Sequence, residues 1–127
     1  MNEWIDNKIT AEIVEINSNI KEDNFSLLAS MHHFHENTPE NIRRAILEYF
    51  DDTPEPSNLN KICAPSEKYI LEKSRIYFIN PKQPNQKERR IELNAIIEGK
   101  ESDLTIVYFS YKDGRTPCIQ IYDALTL

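Results

Sequence analysis

Asp103–Leu127 reads DLTIVYFSYKDGRTPCIQIYDALTL. From Leu104 to Tyr111 it is β-branched and aromatic. In an extended chain Leu104, Ile106 and Tyr108 fall on one side, Val107 and Phe109 on the other. A strand apolar on both sides belongs in the middle of a sheet, covered on both faces. KDGR follows, and Asp113-Gly114 can take the left-handed angles of a tight hairpin. CIQIYDAL is then the last strand. Working outward, RIELNAIIE alternates Ile91, Leu93, Ala95 and Ile97 against Glu92, Asn94 and Glu98, with GKESD as its turn. SRIYFIN is a fourth strand, set apart by the polar loop PKQPNQKE. Loops this short leave no room for crossover helices, so the last three strands form an antiparallel meander.

The N-terminal half has a different period. Ile5, Ile9, Ile13, Ile16 and Ile20 recur three and four residues apart, the stripe of a helix. KEDN breaks it. A second helix is expected from a cap at Asn24 through Leu27, Leu28, Met31 and Phe34 to about ENT. Thr38 and Pro39 then open a third, with Ile42, Ile46, Tyr49 and Phe50 as its stripe. Residues 51–67 are turn-rich, with three prolines. The expected architecture is one α+β domain over 1–127: a helical half (1–50), a connection (51–67) and a strand half (68–127). Three N-terminal helices pack on a C-terminal antiparallel sheet of about four strands.

Charge is uneven. The total is −6, but residues 1–60 carry 12 acidic and 4 basic side chains, and residues 61–127 carry 9 and 11. The acidic half repels a phosphate backbone and attracts a cationic partner, so direct nucleic-acid binding is not expected. No segment has the length and apolarity of a membrane span, and the N-terminus lacks a signal-peptide core, which points to a cytoplasmic location. Cys63 and Cys118 have no metal-ligand spacing and are expected as inert thiols. With only two glycines, phosphate-cradling and dinucleotide-binding loops are not expected, and turns lean on Asn, Asp and seven prolines.

Two groups of residues are candidate sites. SMHHFHENTPENI (30–42) holds all three histidines. On a helix His32, His35 and Glu36 share a face, but the paired-histidine metalloprotease spacing is absent, so no metal or other cofactor is expected. His35 with Glu36, Asp51 or Asp123 can instead supply acid–base chemistry if the fold closes a pocket around them. The second group is EYFDDTPEP: Glu48, Asp51, Asp52 and Glu55 are steering acids and Tyr49 an anchor for a basic protein. A third, weaker feature is KERR (87–90) with Arg75 and Lys82, basic residues around one loop that suit an acidic or phosphate ligand.

A helical group followed by a curved antiparallel meander, ending in the hairpin Asp103–Leu127, resembles the cystatin-like and NTF2-like α+β families. It is most similar to small acidic bacterial immunity proteins of polymorphic or contact-dependent toxin systems. That resemblance implies a protein-binding inhibitor rather than an enzyme, an antitoxin-like protein that occludes a basic toxin such as a nuclease. It carries over no catalytic residues. The alternatives are a small NTF2-like enzyme or ligand-binding protein with a pocket lined by His35 and Asp123, and a homodimeric structural protein using the outer sheet face. The inhibitor reading expects the carboxylates of the first sixty residues to gather in one patch.

Overall fold

The computed structural model of the chain describes residues 3–50, 55–83 and 85–126. The isoleucine stripe forms helix α1 (Asn7–Lys21). Ile9, Ile13, Ile16 and Ile20 are each at most 1% exposed. Asp6 starts the helix, its Oδ1 accepting the Ile9 N–H at 2.8 Å. Burying such a side chain contributes about 1.5–3 kcal/mol, so this row dominates the helical half.

Helix α2 (Phe25–Ser30) is much shorter than expected. It stops because His32 takes φ +62°, a left-handed angle no α-helix contains. Residues 33–35 then leave the helix and run beside the sheet, where Phe34 bridges Ile121 in parallel. Helix α3 (Pro39–Phe50) matches its expected limits. Thr38 Oγ1 accepts the Asn41 N–H at 3.1 Å, and Ile42, Ile46 and Leu47 are buried.

The connection holds more structure than its composition promises. A 3₁₀ turn (Pro56–Lys61) buries Leu59 and leads to a two-residue strand, β1 (Ile62–Cys63). A fourth helix, α4 (Glu67–Lys73), follows. Ser66 Oγ accepts the Tyr69 N–H at 3.1 Å to open it, and Ile70 anchors it in the core. The strands β2 (Arg75–Phe78), β3 (Glu88–Ile97), β4 (Lys100–Tyr111) and β5 (Ile119–Thr126) complete the chain.

The α+β class and the antiparallel β3–β4–β5 meander stand, but two counts change. Among the described residues there are four α-helices rather than three and five strands rather than about four, and α4 lies between strands. One side of β3 is shared: β1 pairs with Ile96 and Ile97, and β2 with Arg89–Glu92. Helix α4 fills the gap in sequence between these two pieces.

The turns also differ. Ile97 pairs with Lys100, so the β3–β4 turn is Glu98-Gly99 alone, and both have positive φ (52° and 81°). That is the type I′ geometry matched to strand twist. The expected turn residues 100–103 are already in β4. Residues 112–118, by contrast, form a longer loop that holds KDGR and a cis Thr116–Pro117 bond.

The register sorts the two faces. Ile91 pairs with Tyr108 and Leu93 with Ile106, while Tyr108 pairs with Ile121 and Ile106 with Ala124. These residues join α1, α2, α3 and α4 in one core. The opposite face holds Arg90 opposite Phe109, Glu92 opposite Val107 and Asn94 opposite Thr105. There Asn94 Oδ1 accepts from Arg75 Nη2 at 3.0 Å and from Thr105 Oγ1 at 3.1 Å, and Arg90 pairs with Glu92 at 2.9 Å. This face is laced by its own polar side chains.

Candidate functional site

The histidine cluster closes the open edge of β5. His35 N–H donates to the Ile121 carbonyl at 2.9 Å, and Ile121 N–H donates to the His33 carbonyl at 2.7 Å. His33 is buried, with Nδ1 2.8 Å from the Ile119 carbonyl. A carbonyl only accepts, so the hydrogen sits on Nδ1. An edge strand is a template for unwanted pairing, and this segment covers it.

His35 continues the arrangement on the outer face. Gln120 Nε2 donates to the His32 carbonyl at 2.8 Å, which leaves Oε1 to accept the Tyr111 hydroxyl hydrogen at 3.0 Å. The Tyr111 oxygen in turn accepts from His35 Nδ1 at 3.2 Å. His35 lies against Phe109, with centroids 4.5 Å apart, and Phe109 stacks on Tyr122 at 4.7 Å. Glu36 stands 3.7 Å from His35 Nε2. Burial pushes the Tyr111 hydroxyl pKa up, so it stays a neutral donor.

Asp123 lies on the same face opposite Val107, but its Oδ1 accepts the N–H of Ala124 at 2.8 Å. No hydrogen bond or ion pair joins it to His35 among the described residues. The concavity beside the histidines, about 330 Å³, is lined by Glu12, Glu15, Met31, His32, His33, Thr116 and Pro117. It contains neither His35 nor Asp123. The described residues form no cluster of His, Cys, Asp and Glu able to hold a metal.

The acidic group is placed only in part, since Asp51 and Asp52 lie outside the described residues. Glu48, in the last turn of α3, and Glu55, before the 3₁₀ turn, are exposed. Tyr49 is half-buried, packed against the core and edge-on to Phe50 at 5.5 Å. Lys61 sits over the Phe50 ring at 5.9 Å. The last turn of α3 itself contains no basic residue, and Lys61 is the cation that approaches it from the 3₁₀ turn.

Among the described residues, four other N-terminal carboxylates are engaged away from this group. Asp6 caps α1 and lies 3.7 Å from Lys112. Asp23 holds Arg43 through two bonds, 2.8 and 2.9 Å long. Glu12 accepts the N–H groups of Cys118 and Ile119 at the start of β5. Glu36 serves His35. These four have structural partners in different parts of the fold.

Both cysteines are free. Burial, then the hydrogen bond and charge of Glu12, push the Cys118 thiol up to about 12. It is therefore no nucleophile near neutral pH.

Sequence reasoning missed a basic–aromatic group at the far end of β2. Arg89 is sandwiched between Trp4 and Phe78, its guanidinium carbon 4.4 and 4.2 Å from the two ring centres. Lys112 covers Trp4 at 4.6 Å. The positive residues were legible in KERR, but their aromatic partners are far off in sequence. No protein-family model, curated protein or solved structure matches the chain.

Proposed function

We propose that this protein binds a cationic protein and works by occlusion, as an antitoxin-like inhibitor does. The supporting observation is the C-terminal end of α3. In sequence, exposed Glu48 and Glu55 lie on either side of the Tyr49–Phe50 aromatic pair, and the last helical turn itself holds no basic residue. An acidic side chain at a helix C-terminus costs the helix stability, so stability alone does not favour this choice. A partner that brings lysines or arginines to the site relieves that repulsion. The acids raise the rate and specificity of encounter, and the partly exposed aromatic rings supply buried area. Asp51 and Asp52 belong to the same sequence stretch and add to its charge.

The test is affinity capture from cells that express the neighbouring genes, using the intact chain and a Glu48→Lys/Glu55→Lys variant. The expected result is a basic protein, released by salt, retained at least about tenfold less by the variant, and inactive while bound. A captured protein that ignores the charge reversal, or keeps its activity in the complex, overturns the reading. So does the recovery of no basic protein.

A further inference from the structure

We infer that the free edge of β2 is a second interaction surface, built to add an extended acidic segment of another protein as a further strand. The inference does not rest on the α3 reading and concerns a surface of opposite charge.

Three observations converge there. First, β2 pairs only with β3, and among the described residues no other backbone hydrogen bond is made by Arg75–Phe78. Alternate N–H and C=O groups along a strand point to opposite sides, so half of them face outward, available to another chain. The corresponding edge of β5 is covered at Ile119 and Ile121 by residues 33–35, whereas among the described residues no strand or segment pairs with this one.

Second, the strand and the residue after it expose large apolar side chains in succession: Tyr77 at 45%, Phe78 at 46% and Ile79 at 38%. Leu27 is the one other large hydrophobic residue so exposed among the described residues. A run of this kind on an open edge invites aggregation unless something covers it.

Third, the charge around this edge is opposite to that of the molecule. Residues 73–90 contain six basic side chains and one acidic one, net +5, so the other residues carry −11. Arg75 and Arg90 share Glu92 on the outer face. Arg89 faces Trp4 and Phe78, and its Nη1 donates to the Gln86 and Glu88 carbonyls; no carboxylate pairs with it among the described residues. Two copies meeting edge to edge through β2 would bring like charge against like charge, net positive even with Glu92 counted, which disfavours self-pairing. An acidic strand is attracted by the same charge. Backbone pairing then supplies affinity, and Tyr77 and Phe78, on opposite faces of β2, each offer a surface for alternate partner side chains.

The probe is a fluorescent peptide of about ten residues that alternates glutamate and valine, titrated into the full chain at low salt. Controls are its lysine–valine counterpart, the acidic peptide with alternate amides N-methylated, and a uridine oligonucleotide of similar length. The expected result is that the acidic peptide binds at least about tenfold more tightly than the lysine peptide and the oligonucleotide. N-methylation and a Tyr77→Ser/Phe78→Ser variant each weaken it by about tenfold or more, and Tyr77→Ser alone, which keeps the Phe78–Arg89 contact, weakens it with its thermal midpoint nearly unchanged. Equal binding of acidic and basic peptides, indifference to N-methylation, or tighter binding of the oligonucleotide overturns the inference. Sedimentation showing a dimer that the double variant dissolves also overturns it, since the edge is then filled by a second copy. None of these outcomes depends on Glu48 or Glu55.

Discussion

Asn17 Nδ2 donates to Tyr108 Oη at 2.8 Å inside the core, joining α1 to β4. The same amide donates to the Ile13 carbonyl at 2.8 Å. Desolvation by burial raises the Tyr108 pKa, so its hydroxyl stays neutral. A buried polar pair is stable only while both members are satisfied. Tyr108→Phe is expected to cost about 1–2 kcal/mol and Asn17→Leu about 1–3 kcal/mol in urea unfolding. The double variant is expected to lose less than the sum, because it leaves neither partner stranded. Strictly additive losses would show that the bond does not couple helix to sheet.

Glu12 plays a comparable part at the start of β5. Its carboxylate accepts the Cys118 N–H at 3.0 Å, the Ile119 N–H at 3.1 Å and the Cys118 thiol at 2.9 Å. Glu12→Ala is expected to destabilise the fold by about 1–3 kcal/mol, with Glu12→Gln recovering part of the loss. In a thiol-labelling assay near pH 8 the half-exposed Cys63 reacts in the native protein, and Cys118 only after unfolding. The folded state holds the Cys118 proton more tightly than the ordinary value of 9.0 allows. This contribution is therefore complete below pH 9 and lost as the pH rises toward about 12.

His33→Phe keeps the apolar bulk but removes the donor to the Ile119 carbonyl. We expect a loss of about 1–3 kcal/mol. Exchange of the Ile121 amide, which is bonded to the His33 carbonyl, should also speed up. His32 is exposed and already left-handed, a conformation Asn tolerates. His32→Asn should therefore change stability by less than about 0.5 kcal/mol. Equal effects at the two positions would refute the division of labour between adjacent histidines.

Asp23 and Arg43 form a two-bonded pair that ties the end of α1 to α3. The hydrogen bond from Arg43, with its charge, holds the Asp23 carboxyl below its ordinary 3.8. The folded state therefore binds this proton less readily than the unfolded one. Stability from the pair is complete above about pH 5 and is lost as the pH falls through the lowered value. Both side chains are over a third exposed, so solvent screening limits the contribution to about 1 kcal/mol or less. Asp23→Asn should lower the urea midpoint at pH 7, by an amount that shrinks as the pH falls through the lowered value.

Glu98 sits at φ 52° in a two-residue turn that prefers Asn-Gly. Glu98→Asn is expected to stabilise the protein by about 0.5–1 kcal/mol, seen as a higher thermal midpoint. A lower midpoint would show that the Glu98 side chain has a role outside the turn.

The acidic candidates were legible in the sequence as residue types, but their uses were not. Asp6, Glu12, Asp23 and Glu36 look alike in a composition, and only their three-dimensional neighbours reveal a cap, a strand anchor, an ion pair and a histidine contact. Helix α4 was hidden because seven residues are too few to display a period. Its one local signal was Ser66 followed by Glu67, a cap and an acid at a helix start.

The sequence alone determined the long elements: the α1 stripe, α3 from its Thr-Pro start, and the β3–β4–β5 meander. Their hydrophobic periods repeat often enough to outweigh local ambiguity, and their loops are too short for any crossover. Tertiary structure decided the fate of His32–Glu36, the sharing of one side of β3 by β1 and β2, and the meeting of Trp4, Phe78 and Arg89. Each depends on backbone hydrogen bonds or ring contacts between residues far apart in the chain, and side-chain periodicity carries no record of those pairings.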